Sequence, residues 1–330
     1  MVIKQQQNGV GSAYIRMMDI QRDLPAVADL IEICFALRND VDGQIFLKQM
    51  RQAARDMGFM RWGLGGWDTS VTIAPGFVWY ENDQVLGNIS LLPFNCQNRR
   101  IYLIANVAVD PKHRRRGIGR ALTIHAMSYL CKRGIDTIWL QVKADNHGAI
   151  DLYHSLGFSQ HSCRIAWRMK PGQKEIPTTG QEGRFSLRRR KKGDWGLQKR
   201  WLDVIYPSSI AWYLKVTFTD FAPSVIWDAS RWFEAMKLKH WVAIEDGKPV
   251  GFLTRQSTKT YADNLWLSVD PQADAAAVVQ FMLKSLCGRF SKVRPLEVNY
   301  PCECIEAAFR SAGFSKYRSL IWMKLSFPQL

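Results

Sequence analysis

The sequence predicts an α/β molecule, α+β in the detail of its mixed sheets, built twice in tandem: two domains, each a twisted mixed β-sheet flanked by helices. Three observations carry that prediction. Strand-like and helix-like segments alternate through the first half of the 330 residues. The same landmarks return in the same order in the second half. Between them, at VAVDPKHRRRGIGRAL (107–122), an apolar strand passes through a basic, glycine-bearing loop into a helix.

The elements follow in order. IRMMDI (15–20) reads as a first strand and PAVADLIEICFALR (25–38) as a helix with Pro25 near its start. FVWYEND and QVLGNISLLPF are strands joined by a turn at Asn82-Asp83. RRIYLIANVAVD, ending at Asp110, is nearly continuous in Val, Ile and Leu, as a strand covered on both faces must be. GIGRALTIHAMSYLCKRG places Ile118, Leu122, Ala126 and Leu130 at helical spacing and stops at Gly134. TIWLQVKADN is a strand, HGAIDLYHSLGF a helix ending at Gly157, and CRIAWRMK a closing strand. PGQKEIPTTGQEG (171–183) has no periodicity and reads as a linker. It separates a first domain, 1–170, from a second, 184–330.

The repeat is specific. WYENDQVLGN aligns without gaps on AIEDGKPVGF, setting Gly87 against Gly251; VAVDP aligns on LSVDP (267–271); AIDLYHSLGF aligns on IEAAFRSAGF (305–314). The offsets are 164, 160 and 156 residues, and both copies continue into a strand with a tryptophan, Trp167 or Trp322.

Composition narrows the class. Hydrophobic residues at 47% and charged residues at 22% are globular values. A net charge of +16 and a pI of about 9.7 imply an anionic partner, whether nucleotide cofactor, nucleic acid or acidic substrate. Seven scattered cysteines form no disulfide framework, and Cys302-x-Cys304 has no second pair at zinc spacing, so neither disulfides nor a metal are expected. No apolar run resembles a signal peptide, and the most apolar stretch, 201–223, is broken by Asp203, Pro207, Lys215 and Asp220. A reduced, cytoplasmic protein without a membrane span is the expectation.

The basic loop fails two phosphate-loop tests. Gly-x-x-x-x-Gly-Lys-Ser/Thr does not occur, and the dinucleotide fingerprint would need glycine at position 122, which is Leu. What remains is a helix N-terminus with free N–H groups, Gly117 and Gly119 allowing close backbone approach, and Arg114, Arg115, Arg116 and Arg120 at the rim. A merely solvated helix start is the plainer alternative. Here VAVDPKHRRRGIGRAL resembles motif A of the GNAT superfamily of acyl-CoA N-acyltransferases, Arg/Gln-x-x-Gly-x-Gly/Ala, with Arg114, Gly117 and Gly119 in the defining places. NHGAIDLYHSLGF resembles that family's Asn-x-x-Ala-x-x-Leu-Tyr-x-x-x-Gly-Phe signature through Asn146, Ala149, Tyr153, Gly157 and Phe158.

The resemblance implies a co-substrate, acetyl-CoA, with no metal. Val107, Ala108 and Val109 would pair through their backbone with the pantetheine arm, and an N–H near Val107 would face the developing oxyanion. N–H groups from Arg115 through Gly117, Ile118, Gly119 and Arg120 to Ala121 would hold the pyrophosphate, and the Asn146 side chain, beside Ala149, would touch the cofactor. Tyr153 would protonate the departing thiolate; a buried helix aromatic is the alternative. Where many members carry a Glu base this chain has Leu103, which leaves Glu81, Asp110, water or a group from the second copy. Cys131 and Cys163 have no base partner and read as structural.

The second copy has lost these requirements. QADAAAVVQFM replaces KHRRRGIGRAL with Asp274 in the loop, Phe309 replaces the tyrosine, and Cys302 stands at the Asn position. It is expected to shape the acceptor cleft rather than bind CoA. Trp62 and Trp67 could stack on a substrate or pack inside. RFSLRRRKKGDW (184–195) lacks interleaved aromatics, which argues for a solvated strand edge and against nucleic acid. The reading is an acetyl-CoA-dependent N-acetyltransferase acting on a small-molecule or protein amine in a ternary complex, as monomer or homodimer and away from membranes. The alternative is a basic RNA- or ribosome-associated protein with a vestigial CoA site.

Overall fold

A computed structural model describes residues 3–4, 13–55, 76–96, 99–172, 183–214, 216–223, 238–258, 261–290, 293–302 and 305–327. The chain divides into two compact units. Unit 1 comprises Met1–Val142, Asn146–His161 and Trp322–Leu330; unit 2 comprises Lys143–Asp145 and Ser162–Ile321.

In unit 1, strands β1 (Ile3–Lys4), β2 (Tyr14–Met17), β3 (Gly76–Glu81), β4 (Gln84–Cys96), β5 (Arg99–Val109) and β6 (Thr137–Lys143) lie side by side in chain order. They run antiparallel up to β5, which pairs parallel with β6. Asn82 and Asp83 both adopt positive φ, 50° and 59°, as the tight β3–β4 hairpin turn demands. Helices α1 (Ile20–Phe35) and α2 (Val41–Arg55) cover one face, packing Leu24, Val27, Ile31, Leu47 and Met50 against Val78 and Ala108. Helix α1 begins five residues before Pro25 because Asp19 caps it, accepting from the N–H groups of Gln21 and Arg22. Helix α3 (Ile118–Cys131) covers the other face, and α4 (His147–Ser155) follows β6. A Cβ on Gly87 would lie 2.8 Å from Ile118 Cγ2 and 3.0 Å from Leu122 Cδ1, so glycine lets α3 close on β4.

Unit 2 repeats the plan with β8 (Ser186–Arg189), β9 (Leu238–Glu245), β10 (Lys248–Gln256), β11 (Asp263–Val269) and β12 (Leu296–Pro301), in the order β12-β11-β10-β9-β8. Helix α5 (Trp195–Ile205) covers one face and α6 (Ala275–Phe290) the other, before the short α7 (Glu306–Ser311). Gly251 answers Gly87: a Cβ there would fall 2.5 Å from Val278 Cγ1 on α6. The glycine pair marked by the repeat is therefore a helix-on-sheet contact made twice.

The strand after α4 departs from the expected boundary at 170. Strand β7 (Ser159–Met169) begins in unit 1, but from Ser162 it belongs to unit 2, where Arg164–Met169 pair antiparallel with β12. Strand β13 (Ser315–Ser326) does the converse: Trp322 onward belongs to unit 1, where the sheet order places β13 beside β6. The two units thus exchange their final strands, and they do not coincide with 1–170 and 184–330.

The cysteine expectation is corrected as well. Cys163 and Cys302 form a disulfide with Cα atoms 5.3 Å apart, which the cross-strand pairing of β7 with the end of β12 brings within reach. Cys34 and Cys131 are free thiols, while Cys304, Trp62, Trp67 and most of the linker lie outside the described residues. Among the described residues no helix is long and apolar enough to cross a membrane, and no group of three or more His, Cys, Asp or Glu could hold a metal.

Candidate active site

The site begins where β5 and β6 part. Their ladder runs from Tyr102↔Ile138 to Ile104↔Leu140 and stops, although β5 continues to Val109. On the other side β5 remains paired with β4, with a register shift between Asn88 and Ser90. The extra residue of this bulge includes Asn106, at φ 51°, a conformation Asn tolerates better than most side chains. Buried Asn88 supports it by donating from Nδ2 to the Asn106 carbonyl at 2.9 Å, while its Oδ1 has no partner. Neither asparagine stands out in the sequence, although a lone Asn within a β-branched run is the trace such a bulge leaves.

Beyond the bulge the hydrogen-bond phase of β5 decides what faces the gap. Asp110 N–H bonds to Leu86 O, so in antiparallel alternation the backbone groups of Val109 point away from β4. They point into the opening left by β6, where the Val109 carbonyl accepts from Cys34 Sγ at 3.2 Å and Arg114 Nε at 3.3 Å. Cys34 escaped the sequence reading because it lies 75 residues away on α1. Val107 lies at the bulge, and the Ala108 side chain is buried under α1 and α2.

At the end of the strand, Asp110 accepts from Lys112 N–H and pairs with His113 Nδ1 at 2.9 Å, shaping the turn. Arg115 and Gly117 take positive φ, 64° and 79°, and α3 starts at Ile118. Gly117 has no side chain to cap the helix, so the first-turn N–H groups of Ile118, Gly119 and Arg120 meet no side-chain acceptor. The Ala121 N–H is already spent on Gly117 O at 2.9 Å, which corrects its place among the expected pyrophosphate donors. Position 117 needs glycine for its φ. At Gly119 a Cβ would only touch Val109 and Leu152 at 3.7 Å, so no protein neighbour demands glycine there. An open glycine beside capless N–H groups is the cradle that a phosphate would fill, and the residues present fit the pyrophosphate of CoA.

The arginines divide their tasks. Arg116 reaches Glu81 at 2.8 and 3.1 Å, and Glu81 also accepts from Trp79 Nε1 at 3.1 Å. Those bonds, the arginine first, hold the Glu81 carboxyl below its ordinary range despite burial. Arg120 donates to Ser155 Oγ at 2.8 Å, tying α3 to α4, while Arg114 and Arg115 stand exposed at the rim. Asp110 is likewise lowered, chiefly by His113. Leu103 is buried and apolar.

Across the opening, Asn146 caps α4 by accepting from Ala149 N–H at 3.2 Å, so its carbonyl oxygen is engaged with the helix rather than turned outward. Tyr153 sits on α4, 5% exposed and edge-on to Phe158, and burial pushes its phenol well above the usual tyrosine value. It is therefore protonated throughout the neutral range.

Unit 2 also parts its parallel pair early, its β11–β12 ladder ending at Asn264↔Glu297 while β11 runs to Val269, but it differs at the bulge and the helix start. Its β10–β11 ladder is regular, pairing Phe252 with Ser268 where unit 1 pairs Asn88 with Ala108. Asp274 caps α6 by accepting from Ala277 N–H at 3.1 Å, supplying from within the chain the anion that Gly117 leaves unsupplied. Tyr206, fully buried and pushed up to about 12, faces the Leu267 backbone, the counterpart of Val107.

A splayed parallel pair, a bulge and a capless helix over a two-glycine loop stand together in unit 1. Residues 47–158 match the acetyltransferase (GNAT) family. The chain is 52% identical over 59 residues to the [ribosomal protein bS18]-alanine N-acetyltransferase of Escherichia coli K12, covering 18% of this chain and 40% of that protein. It is 44% identical over 61 residues to the mycothiol acetyltransferase of Tsukamurella paurometabola, covering 18% and 21%. These matches span less than half the length of either relative. A GCN5-related N-acetyltransferase from Sphaerobacter thermophilus is similar in fold, at TM-score 0.60 and 15% identity over 95% of both chains.

Proposed function

We propose that the chain is an acetyl-CoA-dependent N-acetyltransferase whose working site is in unit 1, passing the acetyl group directly to a primary amine in a ternary complex. The observation that carries this reading is the contrast between copies: the bulge, the open helix start and the tyrosine occur together in unit 1, and each is replaced in unit 2. Acetyl-CoA supplies the activated acyl group. Ile118, Gly119 and Arg120 N–H groups would hold its pyrophosphate, and the backbone of Val107 and Val109 its pantetheine arm. The N–H near Val107 faces the carbonyl oxygen as charge develops. Tyr153 Oη carries the proton for the leaving thiolate. Glu81 and Asp110, both held ionised by their partners, are weak bases, so the proton of the amine leaves through water. The relatives named for a ribosomal-protein alanine and for mycothiol make protein N-termini and small molecules suitable first probes.

Thiol release from acetyl-CoA across a panel of amines and N-terminal peptides tests the reading. Tyr153→Phe should cut kcat by roughly 10²-fold or more, the scale of a lost general acid, with acetyl-CoA affinity nearly unchanged. A Tyr153→Phe enzyme as fast as the parent would remove Tyr153 from the chemistry. No acyl-CoA binding at all would sink the function.

A further inference from the structure

Outside the site just described, unit 2 gathers positive charge at the β8 edge of its sheet. Residues 184–200 carry eight Lys or Arg and one Asp. In sequence this run holds only Phe185 and Trp195 as aromatics, but the fold supplies others from elsewhere. Arg189 lies opposite Trp241 on β9, its guanidinium 4.4 Å over the indole. Trp241 meets Phe290 at 4.8 Å, and Arg255 stacks 4.9 Å over Phe290. Lys239 is paired directly across the sheet with Arg255.

The carboxylate in the cluster is already taken. Asp263, 1% exposed, accepts from Arg255 at 2.6 Å, from Arg294 at 3.0 Å and from the Thr258 N–H at 3.2 Å. It fixes two guanidinium groups, while the exposed Arg189 and Lys239 are in no ion pair among the described residues and the exposed Lys192 follows in the chain. Flat guanidinium groups backed by aromatic rings and flanked by lysines match a chain of phosphates. One exposed large apolar residue, Val293, adjoins Arg294, too little for insertion into a lipid surface.

We infer that this face of unit 2 is a docking surface for single-stranded RNA, held through its phosphates by Arg189, Lys239, Arg255 and Arg294. It operates independently of the acetyl-transfer site.

The test is fluorescence anisotropy of the full chain with a labelled 20-nucleotide single-stranded RNA from 50 to 200 mM salt. Binding should weaken with salt, and Arg189→Gln with Lys239→Gln should lower affinity about tenfold and make the log–log slope shallower by about 1.4, two contacts at ~0.7 each. Melting temperature and thiol release should stay at parental values, and Lys199→Gln, a lysine already paired with Asp203, should bind as the parent does. The inference fails if the parent binds no RNA at 50 mM salt, if the double variant keeps the parental affinity and slope, or if Lys199→Gln loses as much. Binding to anionic phospholipid vesicles without binding to RNA also overturns it.

Discussion

Glu81 shows how much one residue can do away from the reacting atoms. It lies on β3, yet through Arg116 it fixes the loop proposed above as the phosphate cradle. Glu81→Gln removes the charge and keeps the shape, so acetyl-CoA should bind about tenfold more weakly, an ion-paired hydrogen bond of ~1.4 kcal/mol, while kcat on saturation stays within twofold. A fall in kcat with unchanged affinity would instead make Glu81 a base. The sequence made Glu81 visible only as a nearby carboxylate, since chain distance says nothing of a partner 35 residues on.

His240 makes a pH prediction of defined sign. Burial first, then the charges of Arg190 and Arg189, push it down to about 3, and its Nδ1 meets Thr254 Oγ1 at 2.8 Å beside buried Gln198. Unfolded, it titrates near 6.5. Between those values the unfolded chain binds the extra proton, so stability is complete above about pH 6.5 and falls as the pH drops, by about 2 kcal/mol at pH 5. His240→Gln should flatten the melting temperature between pH 7 and 5. A parallel decline in both proteins would place the acid sensitivity elsewhere.

At the scale of the element, the bulge and the helix start define the site together. Asn106→Val puts a β-branched side chain at φ 51° and should cost about 1–2 kcal/mol, with a larger loss of acetyl-CoA affinity than of stability. Asn106→Gly should retain both. Equal binding by the two variants, read by calorimetry, would show that the bulge does not set the slot. The basic loop and α3 were legible because glycine, charge and helical period coincide within sixteen residues. The parting of β5 and β6 was not, since a continuous apolar strand reads the same whether its last residues are paired or open. Asn146 was half legible: its place at the start of α4 was, its engagement in the cap was not.

For the whole molecule, the doubling was legible because three landmarks kept their order and spacing, and the glycines at 87 and 251 serve the same contact in each copy. Which sheet each final strand joins was hidden, because alternating side chains specify a buried face and not a neighbour. Coexpressed halves 1–176 and 177–330 should copurify as one folded species. Each half alone should lack a cooperative melt, and a half 1–176 that melts cooperatively as a monomer would contradict the exchange.

That exchange bears on how such a chain can change over time. A duplicated domain ordinarily leaves a spare, free to be shed once it loses its chemistry. Here residues 162–169 belong to unit 2, and residues 322–326 belong to unit 1. Deleting residues 184–330 would remove a strand from unit 1. Unit 2 is therefore retained by its geometry whatever it binds, and new uses of its surface arise on a scaffold the chain is not free to discard.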